Sequence, residues 1–162
     1  MNDLVFNVDV NKLNDSNLKM ILDKGFTFPS DEEIIAISEE DKMFPTDLSE
    51  LSSEELLNKM AVFTALYSSV SVNEALAMTK VAGYEREFEI RKGQVMQLSS
   101  SSKVTDKRQE ALVDKEVVKL QEKLTVAESR LKLLSALRAS YDRYYQLFSR
   151  ALTSQIEERK IQ

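Results

Sequence analysis

The sequence predicts an all-α fold: a long antiparallel helical hairpin of coiled-coil type, with a small N-terminal region of short helices. Three observations carry that expectation. Two long stretches place apolar residues on alternating steps of three and four. A run of four serines separates them, and the 162 residues include only three glycines and two prolines. Two regions follow, an acidic N-terminal region over 1–48 and a helical module over 49–162 that turns near 99–104.

At the front, apolar residues stand at the even positions Leu4, Phe6, Val8 and Val10, with Val5 besides, which suits a short strand or extended segment. Leu18, Ile21 and Leu22, with Gly25 just beyond, predict a short helix over 15–24 closed by a glycine able to take a left-handed conformation. Ser30 and Glu33 have capping-box spacing, and Ile34, Ile35 and Ile37 form the apolar side of a second short helix, ended by the cluster Glu39-Glu40-Asp41. Lys42 through Asp47, which contains Pro45, marks the boundary to the helical module.

Ser52 and Glu55 then form a second capping box, flanked by Leu51 and Leu56 at the positions of a hydrophobic staple, so a helix begins near Ser53. Its seam runs through Leu56, Met60, Phe63, Tyr67, Val70, Ala77, Val81, Tyr84, Phe88, Val95 and Leu98. Glu74 and Arg91 interrupt it; each reads as a wet spot or register-setting polar residue, or alternatively as a site. Ser99 to Ser102 supply competing side-chain hydrogen bonds and read as a flexible turn. Thr105 or Asp106 is placed to cap a short helix through Val113, and Asp114 to cap the long helix that follows. That last helix has a seam of Val117, Leu120, Leu124, Ala127, Leu131, Leu134, Leu137, Tyr141, Tyr145, Phe148, Leu152 and Ile156. Two helices bury a single seam, so their wide apolar faces are expected to be completed by other subunits. The expected oligomerisation contacts are Phe63, Tyr67, Val70, Leu131, Leu134, Tyr141, Tyr145, Phe148 and Leu152.

With no cysteine and no histidine, the chain lacks a thiolate nucleophile, a disulfide framework, the commonest general acid-base group and the commonest transition-metal ligand. No phosphate-binding loop appears, and the acidic runs lack calcium-loop spacing. The expectation is therefore no enzyme, no cofactor, no metal and no small-molecule substrate. The absence of a long apolar run and of a signal-like start leads to an expectation of no membrane association and a cytoplasmic location.

Charge is distributed unevenly. Residues 1–48 carry 4 basic and 11 acidic side chains, while residues 103–162 carry 13 basic and 9 acidic ones. A basic C-terminal third points to an anionic partner or to attraction between the ends of neighbouring subunits. In the terminal helix, tyrosines interleave with arginines, and Arg143 and Arg150 lie seven residues apart on one stripe beside Tyr144. Rings that stack on bases and cations that engage phosphates are the parts of a single-strand-binding surface. The candidate phosphate contacts are Lys103, Lys107, Arg108, Arg138, Arg143, Arg150, Arg159 and Lys160, while the seam aromatics are assigned to packing.

Asp114 opening a long helix, then Ser149-Arg150-Ala151-Leu152, Ile156 and Arg159-Lys160, resembles the C-terminal helical part of bacteriophage recombination mediators of the UvsY type. The resemblance covers the last 50 to 60 residues, and the acidic N-terminal third has no counterpart in it. It implies a ring-like homo-oligomer that binds single-stranded DNA, acts in DNA recombination in the host cytoplasm, and helps exchange the single-strand-binding protein for the recombinase. By position, Ser149, Arg150, Ile156, Arg159 and Lys160 carry over. Two other readings are a structural or adaptor coiled coil of a phage virion or assembly pathway, and a host-directed inhibitor whose acidic front docks on a basic surface.

Overall fold

The computed structural model describes residues 15, 16, 19, 20, 23 and 31–161. The strand expected at 4–10, the closing Gly25 and the cap at Ser30 lie outside them. The five described positions between 15 and 23 are helical. Five further helices follow: α1 (Asp31–Ala36), α2 (Glu39–Lys42), α3 (Ser53–Leu98), α4 (Val104–Val113) and α5 (Lys115–Ile161). The protein is all-α, and its two long helices α3 and α5 form an antiparallel hairpin. Among the described residues, no helix is long and apolar enough to cross a membrane.

The chain contains two compact units, one built on Ala75–Lys132 and the other on 31–74 with 133–161. Both long helices contribute to both units.

In the unit built on 31–74 and 133–161, the start of α3 is fixed as its sequence dictates. The Ser52 amide donates to Glu55 Oε2 at 2.7 Å, and the Glu55 amide donates to Ser52 Oγ at 3.2 Å. These two bonds satisfy donors that a helix start otherwise leaves free. The Ser52 bonds hold the Glu55 carboxyl below the ordinary glutamate range. Gln155 of α5 ties down the same end, donating to the Leu51 carbonyl at 2.7 Å and accepting from Ser53 Oγ at 2.9 Å.

Leu56, Phe63, Leu66 and Phe148 form the core of this unit, with Ile34, Ile37, Phe44, Leu48 and Leu51 packed against them. Phe63 and Phe148 have no exposed surface. Phe44 stacks on Tyr144 at 4.6 Å between ring centroids and meets Phe148 at 5.3 Å, while Phe63 meets Tyr144 edge-on at 5.5 Å. Such aromatic pairs each contribute about 0.5–1.5 kcal/mol beyond the area they bury. The segment before α3 is therefore a third layer of the hairpin.

That third layer changes which residues face inward. Tyr144 packs half-buried against the core, whereas Tyr145 is 39% exposed, opposite to the expected placement. Leu137, Ile156 and Leu98, all expected on a seam, are exposed as well. Arg138 and Gln155 turn inward beside Leu137 and Ile156 because each has a polar partner on the facing helix. Phe63, Val70 and Phe148 were expected to join subunits; they are buried within the single chain, so the surface they would offer a neighbour is already covered. Tyr141 and Leu152 are half-buried against the same core. Tyr67, Leu131 and Leu134 are also half-buried.

Glu39-Glu40-Asp41 does not end α1 but begins a separate turn of helix, α2. Its N-cap Ser38 accepts from the Asp41 amide at 3.0 Å. Lys59 of α3 closes the other end, donating to the Glu40 and Asp41 carbonyls at 3.0 Å each. A lysine on the last carbonyls complements the negative end of the helix dipole.

In the unit built on Ala75–Lys132, the buried side chains are Ala77, Phe88, Ala111, Val117 and Leu124. The serine connection between α3 and α4 is held rather than loose. The Ser101 amide donates to Ser99 Oγ at 3.1 Å, and Ser101 Oγ donates to Glu110 at 2.5 Å. Lys103, not Thr105 or Asp106, occupies the N-cap of α4, without a side-chain cap bond. Asp114 has extended backbone and caps α5, its Oδ1 accepting from the Glu116 and Val117 amides at 3.1 Å each. Arg91 Nε lies 3.5 Å from the same oxygen, so the polar break at Arg91 meets the break between α4 and α5.

Two predictions follow from this packing. Phe148→Ala should cost about 3–5 kcal/mol in urea unfolding, independently of protein concentration, while Tyr145→Ala should change stability by less than about 0.5 kcal/mol; a concentration-dependent loss at Phe148 would place that ring between subunits. The second concerns pH. The Val117 amide, with Arg91 contributing, holds the Asp114 carboxyl below its ordinary value of 3.8. Stability from this group is thus complete above pH 3.8 and is lost as pH falls through the lower folded value. Asp114→Asn, which keeps a capping oxygen, should flatten that acid limb, and an unchanged acid limb would show that the group titrates alike in both states.

Candidate nucleic-acid interface

Heptad pairing leaves the flanks of α3 and α5 open beside the seam, and in the Ala75–Lys132 unit that flank is a groove. Lys80 and Tyr84 of α3 are four apart and share a face. Lys119, Glu122, Lys123, Val126, Ala127 and Arg130 of α5 line the other side, around a volume of about 450 Å3. The lining therefore holds four cations, one carboxylate and one phenol ring over a small apolar floor. Lys119 pairs with Glu116 at 2.9 Å across an exposed helix turn, a contact that solvent screens and weakens. Lys80, Lys123 and Arg130 have no ion pair among the described residues. Val126 is 70% exposed between these cations.

Cations on a concave wall concentrate anions, and a ring beside them gives a planar group something to stack on. Among the described residues there is no group of three or more acidic side chains placed to hold a metal ion.

The basic residues picked out from sequence fall into three situations. Arg143, Arg150, Arg159 and Lys160 are exposed on α5 in the unit of 31–74 and 133–161. Lys103 and Arg108 are exposed and Lys107 is half-buried near α4, in the other unit; Lys107 also draws the Glu110 carboxyl down, after the Ser101 and Ser99 bonds that hold it below the ordinary range. Arg138 is engaged within the hairpin. Its Nε lies 2.5 Å from Glu74 Oε2, and its Nη1 donates to Tyr67 Oη at 3.4 Å. The Nε–H finds no hydrogen-bond acceptor, so its attraction to Glu74 is ionic. Tyr67 first, and then Glu74, raise the Arg138 pKa above the ordinary arginine value. Glu74, 8% exposed, also accepts from Ser135 Oγ at 2.5 Å. At the polar break in the seam, the Glu74 carboxylate thus has partners in Ser135 and Arg138, as a paired buried charge requires.

None of the groove's cations was singled out from the sequence. Their only linear trace is the spacing of Lys119, Lys123, Val126 and Arg130, which keeps them on one flank beside the Val117–Leu131 seam. Lys80 and Tyr84 join them only once the hairpin closes. No family model, curated protein or solved structure matches the chain.

Separating structural from surface arginines gives a direct test. Arg138→Ala should lower the thermal unfolding midpoint, with Arg138→Lys restoring part of it, whereas Arg143→Ala and Arg150→Ala should leave the midpoint within about a degree. A midpoint unmoved by Arg138→Ala would mean that Glu74 is content without its partner.

Proposed function

We propose that this protein is a non-enzymatic accessory factor that binds single-stranded DNA, acting as a recombination mediator of the kind its C-terminal helix resembles. The observation that carries the reading is the groove in which Tyr84 stands among Lys80, Lys119, Lys123 and Arg130. Cations separated by turns of one helix track a phosphodiester backbone, and one ring gives a base a stacking face without reading its identity. A single strand fits better than a duplex because a tyrosine between two packed helices reaches only an unpaired base. Exposed Arg143, Arg150, Arg159 and Lys160 on α5 supply further phosphate contacts. A recombinase and a single-strand-binding protein would then be its working partners, in the cytoplasm of a phage-infected cell.

A second reading, a structural or adaptor protein, draws on the exposed apolar residues Leu133 and Leu137, which lie one turn apart on α5 and are 72% and 41% exposed.

Fluorescence anisotropy with a labelled oligothymidine checks the first reading. Affinity should fall steeply with salt, and Lys119→Ala with Lys123→Ala should reduce the slope of log K against log salt by about 0.7 for each lost contact. Tyr84→Ala should cost about 1–3 kcal/mol of binding while Tyr84→Phe costs little. No binding at low salt would sink the proposal, and equal affinity for duplex would redirect it to the adaptor reading.

A further inference from the structure

The groove has a counterpart in the chain's own sequence. Residues 31–55 carry ten acidic side chains and a single lysine. Within them, α2 and the residues just after it present Glu39, Glu40, Asp41 and Asp47 on exposed positions. Met43, at the C-cap of α2, stands among these carboxylates and is 68% exposed. The packing of Phe44 and Leu48 on the core and the Lys59 bonds to the Glu40 and Asp41 carbonyls fix this segment in place. It therefore presents an apolar centre with a mainly anionic rim, in which Lys42 pairs with Glu39 and Lys59 with Asp41 through exposed carboxylates, contacts that solvent screens. The groove is the converse surface, with Val126 exposed and Ala127 and Tyr84 beside it, rimmed by Lys80, Lys119, Lys123 and Arg130. An apolar centre within a charged rim is the usual anatomy of a protein interface, and opposite rims set partner choice and register. A flexible methionine suits a shallow apolar floor.

We propose that the Glu39–Asp47 segment of a second copy seats in this groove, with Met43 against Val126 and Tyr84 and its carboxylates facing the four cations. The two surfaces differ, so the contact is head-to-tail, and repeating it gives a closed ring or an open filament rather than a symmetric pair. A second copy supplies both halves of the match, apolar and ionic, where a strand of DNA satisfies only the cations and the ring. The contact rests on the proposed function only in sharing the groove: a neighbour and a DNA strand exclude each other, and self-assembly stands even if strand binding fails.

Sedimentation velocity on the nuclease-treated full chain tests this, with far-ultraviolet circular dichroism confirming that each variant folds. Wild type should sediment as species larger than the 18.5 kDa monomer, growing with concentration and dissociating at half-molar salt. Lys119→Glu with Lys123→Glu should weaken association about tenfold or more, and Glu39→Lys with Glu40→Lys should do the same. Mixing the two variants should restore it, because each then offers the other a matched surface. Met43→Ser, at an exposed position, should weaken association with the charges intact. In the anisotropy assay the Glu39→Lys, Glu40→Lys variant keeps its groove and should bind oligothymidine at least as well as wild type, while the groove variant loses both activities. The proposal is overturned by a wild-type monomer at high concentration and low salt, by association that neither variant weakens, or by variants that do not associate when mixed. Wild-type protein that assembles but ignores DNA would count against the proposed function alone.

Discussion

Everything in the unit of 31–74 and 133–161 depends on two phenylalanines that have lost all contact with water. Phe63 and Phe148 face each other across the hairpin at 5.3 Å, and neither has any exposed surface. Two helices alone cannot enclose rings of that size, since each presents one stripe to the other and leaves the flanks wet. Phe44 completes the enclosure by lying on Tyr144 and Phe148. The short helices before α3 are therefore fastened for a physical reason: each bond that holds α2, from the Ser38 cap to the Lys59 contacts, keeps Phe44 in place. Phe63 and Phe148, expected between subunits, are buried within the single chain.

Polar residues set the register that the apolar seam leaves loose. A heptad seam of leucines and alanines tolerates a slip by a turn, because one apolar side chain substitutes for another. Glu74 meeting Ser135 and Arg138, Arg91 meeting Asp114, and Gln155 meeting Leu51 and Ser53 permit only one alignment. A slip would strand the Glu74 carboxylate, 8% exposed, without partners, and an unpaired buried charge is among the most costly defects a fold can carry. The cluster is better understood as specifying the hairpin than as stabilising it.

How much of this was legible in the sequence differs from residue to residue. Ser52 with Glu55 and Asp114 before α5 were legible because a cap is local chemistry, and the structure makes those bonds. The two long helices were legible from period alone. The choice between Tyr144 and Tyr145 was not: adjacent residues on a helix point about 100° apart, and both lie within reach of a wide apolar face. Phe44 settles it, and Phe44 sits in a segment without period. The inward partners of Arg138 and Gln155 were not legible, because a search for apolar seams passes over polar side chains that turn toward a partner. The groove was the least legible feature, since Lys80 and Tyr84 stand some forty residues from Lys119 and become its neighbours only through antiparallel pairing.

The position of the groove bears on how the proposed activities relate. It uses the helix flank that the heptad seam leaves free, so occupying it requires no rearrangement of the core. If a neighbouring copy and a strand of DNA compete for that flank, linkage requires each to weaken the other by the same factor. The two differ in salt response. A strand brings a dense line of phosphates and releases condensed counterions when it binds, whereas the Glu39–Asp47 segment brings a few carboxylates and one methionine. Rising salt therefore weakens the strand faster than it weakens the apolar part of the protein contact, and the balance shifts toward assembly. On the proposed reading, a factor that holds DNA briefly and then surrenders it would use a competitor of this kind, carried by each copy and effective only when copies meet.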